Sequence, residues 1–382
     1  SNSGNWLVNG GKTNTADIPS LVSTLLTWER VRSFNVGFDF GAFSNRLTGS
    51  FDYFVRKTVD MVGPAPQLPL VLGIAPAIVN NADMKSYGFE IELSWRDRIG
   101  EVDYGVKFNL ADAQQKVVKY PNTTNAFSDW YAGKMSGEIW GYTSLGIAKT
   151  DEEMKEHLAS LPNGGQNQLG NKWGAGDIMY ADINGDGKVD GGKGTLADPG
   201  DQRIIGNSTP RYNFGLVLDA SYKGFDVSIF FQGVGKRDYA PIVGTNGAVF
   251  WGAVNNIWQS MAMEEHFDYF RPEGHPMGAN LNGYYPRPDF TSNKNHQVQT
   301  RYLQDASYIR LKNLQIGYTL PKQWINKLHI NRCRVYVSGD NLWTGTSLAS
   351  MFDPETLAAG DWGSGKTYPL SKVISFGLNV NF

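Results

Sequence analysis

The chain is poor in the features that mark most functional classes. It has one cysteine, Cys333, in 382 residues, so no internal disulfide framework holds it, and in a strand-like segment that residue reads as a small apolar side chain. Its 35 basic and 37 acidic residues leave a formal charge of −2, which excludes a basic surface for nucleic acid. The long apolar run from Met61 to Val79 is broken by Pro64, Pro66, Pro69 and Pro76, so it reads as a loop and no transmembrane helix is expected. The opening Ser-Asn-Ser-Gly-Asn has no basic then apolar run, so no signal peptide is read there. The histidines His157, His266, His275, His296 and His329 are scattered, and neither HExxH nor GxSxG occurs. No catalytic constellation is expected.

What is present is strand chemistry. Aromatics make up 13 % and hydrophobics 41 % of the chain, with 44 glycines to supply turns, and this balance leans towards an all-β fold. The last stretch, Val373 to Phe382, alternates strictly: Ile374, Phe376, Leu378, Val380 and Phe382 fall on one face and Ser375, Gly377, Asn379 and Asn381 on the other. One face suits hydrocarbon and the other water, over the length that crosses a bilayer at a tilt.

The same period recurs upstream. Phe34 to Phe40 and Leu47 to Val55 form one hairpin, Tyr87 to Trp95 and Val102 to Leu110 a second, and Tyr212 to Tyr222 with Phe225 to Phe231 a third, turning at Lys223-Gly224. Tyr308 to Tyr318 changes parity near Lys312-Asn313, which predicts a bulge, and Cys333 to Leu342 follows it. With the terminal strand the count is nine.

The connections alternate in length. They are short after Gly41, Arg96 and Tyr222, moderate after Leu320, and long at about 57–85, 114–210, 235–305 and 344–370. Outer-membrane barrels segregate loops in this way, whereas sandwiches have no reason to. Aromatics recur at the short-turn end, as at Phe40, Trp95, Tyr104, Tyr222, Phe225, Tyr318 and Phe382, where an interfacial girdle belongs. The reading is a transmembrane antiparallel β-barrel lying in outer-membrane lipid. Nine strands that start from an external loop cannot close alone, so residues 1–382 are expected to be the C-terminal portion of one larger barrel domain, broken within a surface loop near Ser1, with its N-terminal barrel and plug portion elsewhere. The alternative is a calcium-stabilised soluble β-sandwich acting as an adhesin or glycan-binding module; a passive porin is a third reading.

Asp182-Ile-Asn-Gly-Asp-Gly-Lys-Val-Asp190 carries the spacing of a calcium loop: Asp182, Asn184, Asp186 and Asp190 at the first, third, fifth and ninth places, Gly187 at the sixth and the Lys188 carbonyl at the seventh. The twelfth place is Lys193, so Asp198 or Asp201 would have to close the shell; an ordinary Asx-Gly turn is the competing reading. Gly360 to Thr367 matches the letters of a phosphate loop but leads into a strand where a helix should start, which argues against nucleotide. Thr150-Asp-Glu-Glu153 is a capping box before a short helix. Among the aromatics of 238–300, Trp251, Trp258, Tyr284 and Tyr285 are candidates to pack on a substrate, or equally on one another.

Several segments resemble one family. Tyr180-Ala-Asp-Ile-Asn-Gly-Asp-Gly, Ile205-Gly-Asn-Ser-Thr-Pro-Arg-Tyr212, Ala220 to Gly233, Tyr308 to Tyr318 and Val335-Tyr-Val-Ser-Gly-Asp-Asn-Leu342 look like the C-terminal strands of SusC/RagA-type TonB-linked outer-membrane transporters. Trp28-Glu29, Asn81 to Glu90 and Tyr368-Pro-Leu-Ser-Lys fit as well. The resemblance implies a 22-stranded barrel around an N-terminal plug. It also implies import of oligosaccharides or peptides, driven by the TonB complex and capped by a SusD-like surface lipoprotein. The glycine-rich insertion from Gly191 to Gly200 departs from the family pattern.

Overall fold

A computed structural model describes residues 2–8, 10–15, 23–24, 26–65, 76–241, 248–252, 262–290, 292–326, 329–357 and 367–382. Its main element is a nine-stranded antiparallel sheet in which each strand pairs with its sequence neighbours. The strands are β1 (Arg30–Ala42), β2 (Leu47–Val62), β3 (Asn80–Ile99), β4 (Val102–Lys119), β5 (Arg211–Tyr222), β6 (Phe225–Lys236), β7 (Tyr308–Thr319), β8 (Arg332–Thr346) and β9 (Val373–Asn381). Among the described residues β1 and β9 are the two edges and do not pair with each other, so the sheet is an open wall. A separate hairpin joins Asn2–Val8 to Gly11–Thr15.

The alternation puts the apolar residues of neighbouring strands in register. Phe38 lies opposite Phe51, Phe51 opposite Ile91, Ile91 opposite Leu110 and Leu110 opposite Phe214. Across the other half, Ile316 lies opposite Val337 and Val337 opposite Phe376. One face is therefore apolar from edge to edge. Among the described residues no second layer packs on it: Phe38 stays 61 % exposed and Phe376 84 %. A soluble sandwich would bury this face, at a gain of about 25 cal/mol per Å², and leaving it bare in water is untenable. The other face carries Asp39 opposite Ser50, Ser50 opposite Glu92, and Glu92 opposite Asn109.

Local chemistry sets the turns. At Lys223–Gly224 both residues have positive φ, 46° and 90°, the conformation of a two-residue hairpin turn whose twist matches the flanking strands. Trp95 donates its indole hydrogen to Tyr104 Oη at 3.1 Å, and Phe225 lies 4.5 Å from Tyr318, so the aromatics at this end meet across strands. The bulge falls where the parity change placed it: Leu311 and Asn313 are the paired residues, and Lys312 is left out of both ladders.

Most strands outrun the apolar pattern that located them, so the long connections are 63–79, 120–210, 237–307 and 347–372; all but the third are shorter than the ranges read from sequence, and the third is shifted by two residues. β3 alone has 20 residues, roughly 66 Å at 3.3 Å per residue, against a hydrocarbon layer of about 30 Å. Apolar alternation stops where lipid stops, but the hydrogen-bond ladder continues because polar side chains pair there too: Arg30 meets Asp60 at 2.5 Å and Lys57 meets Asp83 at 3.6 Å.

The only ordinary hydrophobic core among the described residues lies in the long loops, because both faces of the wall point at something other than protein core. Tyr142, Ile178, Tyr180, Val189, Phe250, Trp251, Tyr285, Tyr302 and Phe352 form it, with segments from three loops contributing. A helix, α1 (Asp151–Ala159), stands beside it and buries Met154; Thr150 caps it by accepting from the Glu153 amide at 3.1 Å.

Candidate functional site

Two surfaces can meet a solute: the polar face of the wall and the loop lobe that stands over one end of it. The polar face is densely paired. Lys107 and Glu92 lie 2.8 Å apart and Asn313 donates to Asp340 at 2.7 Å, while Arg334 reaches across from β8 to Asp226 on β6. Near the short turns a groove of about 660 Å³ opens between Arg46, Arg96, Asp219 and Asp226. Charges of both signs on this face keep it wetted and fit a lumen wall.

The lobe is fixed to itself and to the wall by buried ions. Asp177, fully buried, accepts from Arg287 at 2.6 and 2.7 Å, from Lys294 Nζ at 2.9 Å and from Asn295 at 2.9 Å. Arg310, at the outer end of β7, donates to Asp353 at 2.7 Å and Glu355 at 2.8 Å, and Lys312 reaches Glu355 at 2.6 Å. Against the desolvation of burial, the Arg310 guanidinium and the amides of Glu355 and Leu370 hold the Asp353 carboxyl below its usual range. These ties were missed from the sequence, since Asp177 and Lys294 are 117 residues apart.

The Asp182 loop is ordered, but its oxygens look inward to the backbone. Asp182 accepts from the amides of Gly185 and Gly187 at 2.7 and 2.8 Å, with φ of +81° at Gly187, and Asp201 accepts from Ile183 and Asp190 at 2.7 and 2.8 Å. Asn184 donates to Asp186 at 3.2 Å. Lys188, expected to offer a carbonyl, instead places its ammonium 2.5 Å from Asp190. That ammonium holds the Asp190 carboxyl low, while burial pushes Asp201 up. Among the described residues no group of three or more His, Cys, Asp or Glu stands ready to hold a metal ion. In this arrangement the loop closes as an Asx turn on its own amides, with the Lys188 ammonium lying against Asp190.

Three of the four candidate aromatics lie among the described residues. Trp251 is 3 % exposed and Tyr285 7 %, and their ring faces pack in the core on Phe250, Tyr302 and each other. Tyr284 is half-buried and its hydroxyl accepts from Gln304 at 2.9 Å. All three therefore pack mainly on one another and on the core, with little ring surface open to solvent. Trp258, like 360–366 of the phosphate-loop-like stretch, lies outside the described residues.

An open wall with one lipid-compatible face, one charged face and large loops at a single end is a section of a transmembrane β-barrel. The chain belongs to the TonB dependent receptor-like, beta-barrel family, whose pattern it matches over residues 2–342. It is 29 % identical to TonB-dependent receptor P3 of Formosa agariphila over an alignment of 387 residues, covering 94 % of this chain and 34 % of that protein. With TonB-dependent receptor SusC of Bacteroides thetaiotaomicron the identity is 21 %, over 95 % of this chain and 33 % of that one. The chain thus spans about a third of the length of the relatives it matches. In fold it is similar to the RagAB peptide transporter, with a TM-score of 0.70 and 24 % identity over 99 % of this chain and 38 % of the other. The RagAB peptide importer in its open-open state gives a TM-score of 0.62 at 22 % identity, over the whole of this chain and 37 % of the other. Its place is the bacterial outer membrane.

Proposed function

We propose that residues 1–382 form the C-terminal wall of a TonB-dependent outer-membrane importer for oligosaccharides or peptides. The remainder of the protein supplies the N-terminal strands, the plug and the contact with the TonB complex, and a SusD-like surface lipoprotein closes over the loop lobe. The observation that carries this reading is the nine-stranded sheet with its uninterrupted apolar face, its charged opposite face and its folded lobe at one end only. Membership of the receptor family supports it, as do a relative named SusC and a fold neighbour described as a peptide transporter. The test is uptake by cells carrying the full-length protein, with and without TonB, together with affinity purification from the outer membrane in detergent. Energy-dependent accumulation and a co-purifying lipoprotein are the expected result. Uptake that is indifferent to TonB would leave a passive pore, and a protein monodisperse without detergent would end the membrane assignment.

Calcium at the Asp182 loop is a second, separable proposal, supported by the oxygen spacing of Asp182, Asn184, Asp186 and Asp190 and by the approach of Asp201. Binding requires the Lys188 ammonium to leave Asp190. Millimolar calcium should then slow proteolysis of the lobe, and more so in a Lys188→Gln variant; protection in neither protein would remove calcium from the account.

A further inference from the structure

Beside the aromatic core the lobe holds a cavity of about 280 Å³, walled by Trp251, Tyr285, Phe267, Phe290, Pro286 and His296. Its chemistry is specific in three respects. The walls are apolar, and Phe267 and Phe290 are 54 % and 60 % exposed at its rim although the loops could have hidden them. Two polar atoms within this lining are buried and have no hydrogen-bond partner: the indole Nε1 of Trp251 and Nδ1 of His296, whose rings lie 4.5 Å apart. Such atoms are rarely left unmatched in a folded protein, and an indole N–H can only donate. Finally, the lining carries no carboxylate and its one guanidinium is already paired. Arg287, also in the lining, is held by Asp177 at 2.6 and 2.7 Å, and burial depresses the His296 pKa to about 4, so the imidazole is neutral at physiological pH.

We infer that this cavity is a binding subsite for one aromatic or large aliphatic side chain of a peptide, with the adjoining peptide carbonyl accepting from Trp251 Nε1. The volume is at the low end for a ligand pocket and admits a single residue, not an oligomer. A sugar ring would meet the same mostly apolar walls with several hydroxyls and find few unengaged polar atoms, leaving most of them unpaired. A cationic side chain would find no counter-ion, and an acidic one would have to compete with Asp177 for Arg287. The subsite deepens the import reading and rests on it only for its biological purpose: it would select peptides by one apolar residue as they reach the outer face of the barrel.

The test uses the full-length protein in detergent and isothermal titration calorimetry with three uncharged probes: the end-capped peptides Ala-Phe-Ala and Ala-Ala-Ala, and maltotriose. The phenylalanine peptide should bind about tenfold or more tighter than the alanine peptide, the difference expected for burying one aromatic side chain. Ala262→Trp, at an exposed position on the cavity lining, should abolish that preference by filling the space. Phe290→Ala, also exposed, should weaken it, and Trp251→Phe, which keeps a ring but removes the donor, should cost about three- to tenfold. Equal affinity for the two peptides, a preference that survives Ala262→Trp, or maltotriose as the ligand that Ala262→Trp displaces would each overturn the subsite. The import reading fails separately: selective binding with no TonB-dependent uptake of any peptide or oligosaccharide would remove it and leave the subsite standing.

Discussion

Asp177 is the residue whose loss should loosen the lobe most. It is fully buried and accepts five hydrogen bonds, from Arg287 Nε and Nη2, Lys294 Nζ, Asn295 Nδ2 and the Gly174 amide, at 2.6 to 2.9 Å. Asp177→Ala leaves the Lys294 ammonium, 1 % exposed, without its principal counter-charge. Breaking a buried pair from one side costs about 3–5 kcal/mol. Lys294 keeps the carbonyls of Asn171 and Lys172 at 3.1 and 3.0 Å and a longer approach to Asp289 at 3.7 Å, which places the loss near the lower end, about 3 kcal/mol. The assay is native-state hydrogen exchange on the full-length protein, read at the amides of Ile178 and Tyr180, which are held by Asn295 and Gln166. Their exchange should quicken by about a hundredfold. The paired change Asp177→Leu with Lys294→Met should recover much of the loss, because an apolar pair needs no counter-charge. Acceleration of less than about tenfold in Asp177→Ala would refute the reasoning.

Further outcomes follow from the same structure. His296 titrates near 4 when folded against 6.5 when free, so below pH 6.5 the unfolded side chain takes a proton that the folded one refuses. Lobe stability should be flat above that pH and fall by roughly 3 kcal/mol as pH drops towards 4, as measured by limited proteolysis, and His296→Phe should flatten the profile. Leu216→Arg, on the apolar face of β5, should impair insertion by about 2–4 kcal/mol, whereas Ser228→Arg on the polar face of β6 should be tolerated; equal effects in a heat-modifiability assay would contradict the assignment of faces. Gly187→Ala must hold φ at +81° and bring its Cβ to 2.9 Å from Asn163 Nδ2, so the Asp182 loop should become protease-sensitive, at a cost of about 1–3 kcal/mol.

The barrel wall was legible because its pattern is local. Period-two alternation at Ile374, Phe376 and Leu378, or at Phe89, Ile91 and Leu93, needs no knowledge of partners, and lipid on one side with water on the other enforces it along every strand. The Lys312 bulge could be read for the same reason, since one residue out of phase turns every later side chain over. Strand ends were less legible. Beyond the bilayer nothing penalises a polar residue on the outer face, so the ladder through Arg30, Asp60 and Asp83 carries no hydrophobic signature.

The sequence by itself therefore determined the strand order, the two faces of the sheet, the end that carries the loops and the short helix capped by Thr150. Only the tertiary structure decided what the loops do. It turned Trp251 and Tyr285 into lobe core, set the Lys188 ammonium against Asp190, and joined Asp177 to Lys294 across 117 residues. The reason is physical: face polarity is imposed residue by residue by the surrounding solvent, whereas burial, counter-charges and unpaired donors depend on which distant segments come to lie together, and no spacing along the chain encodes that.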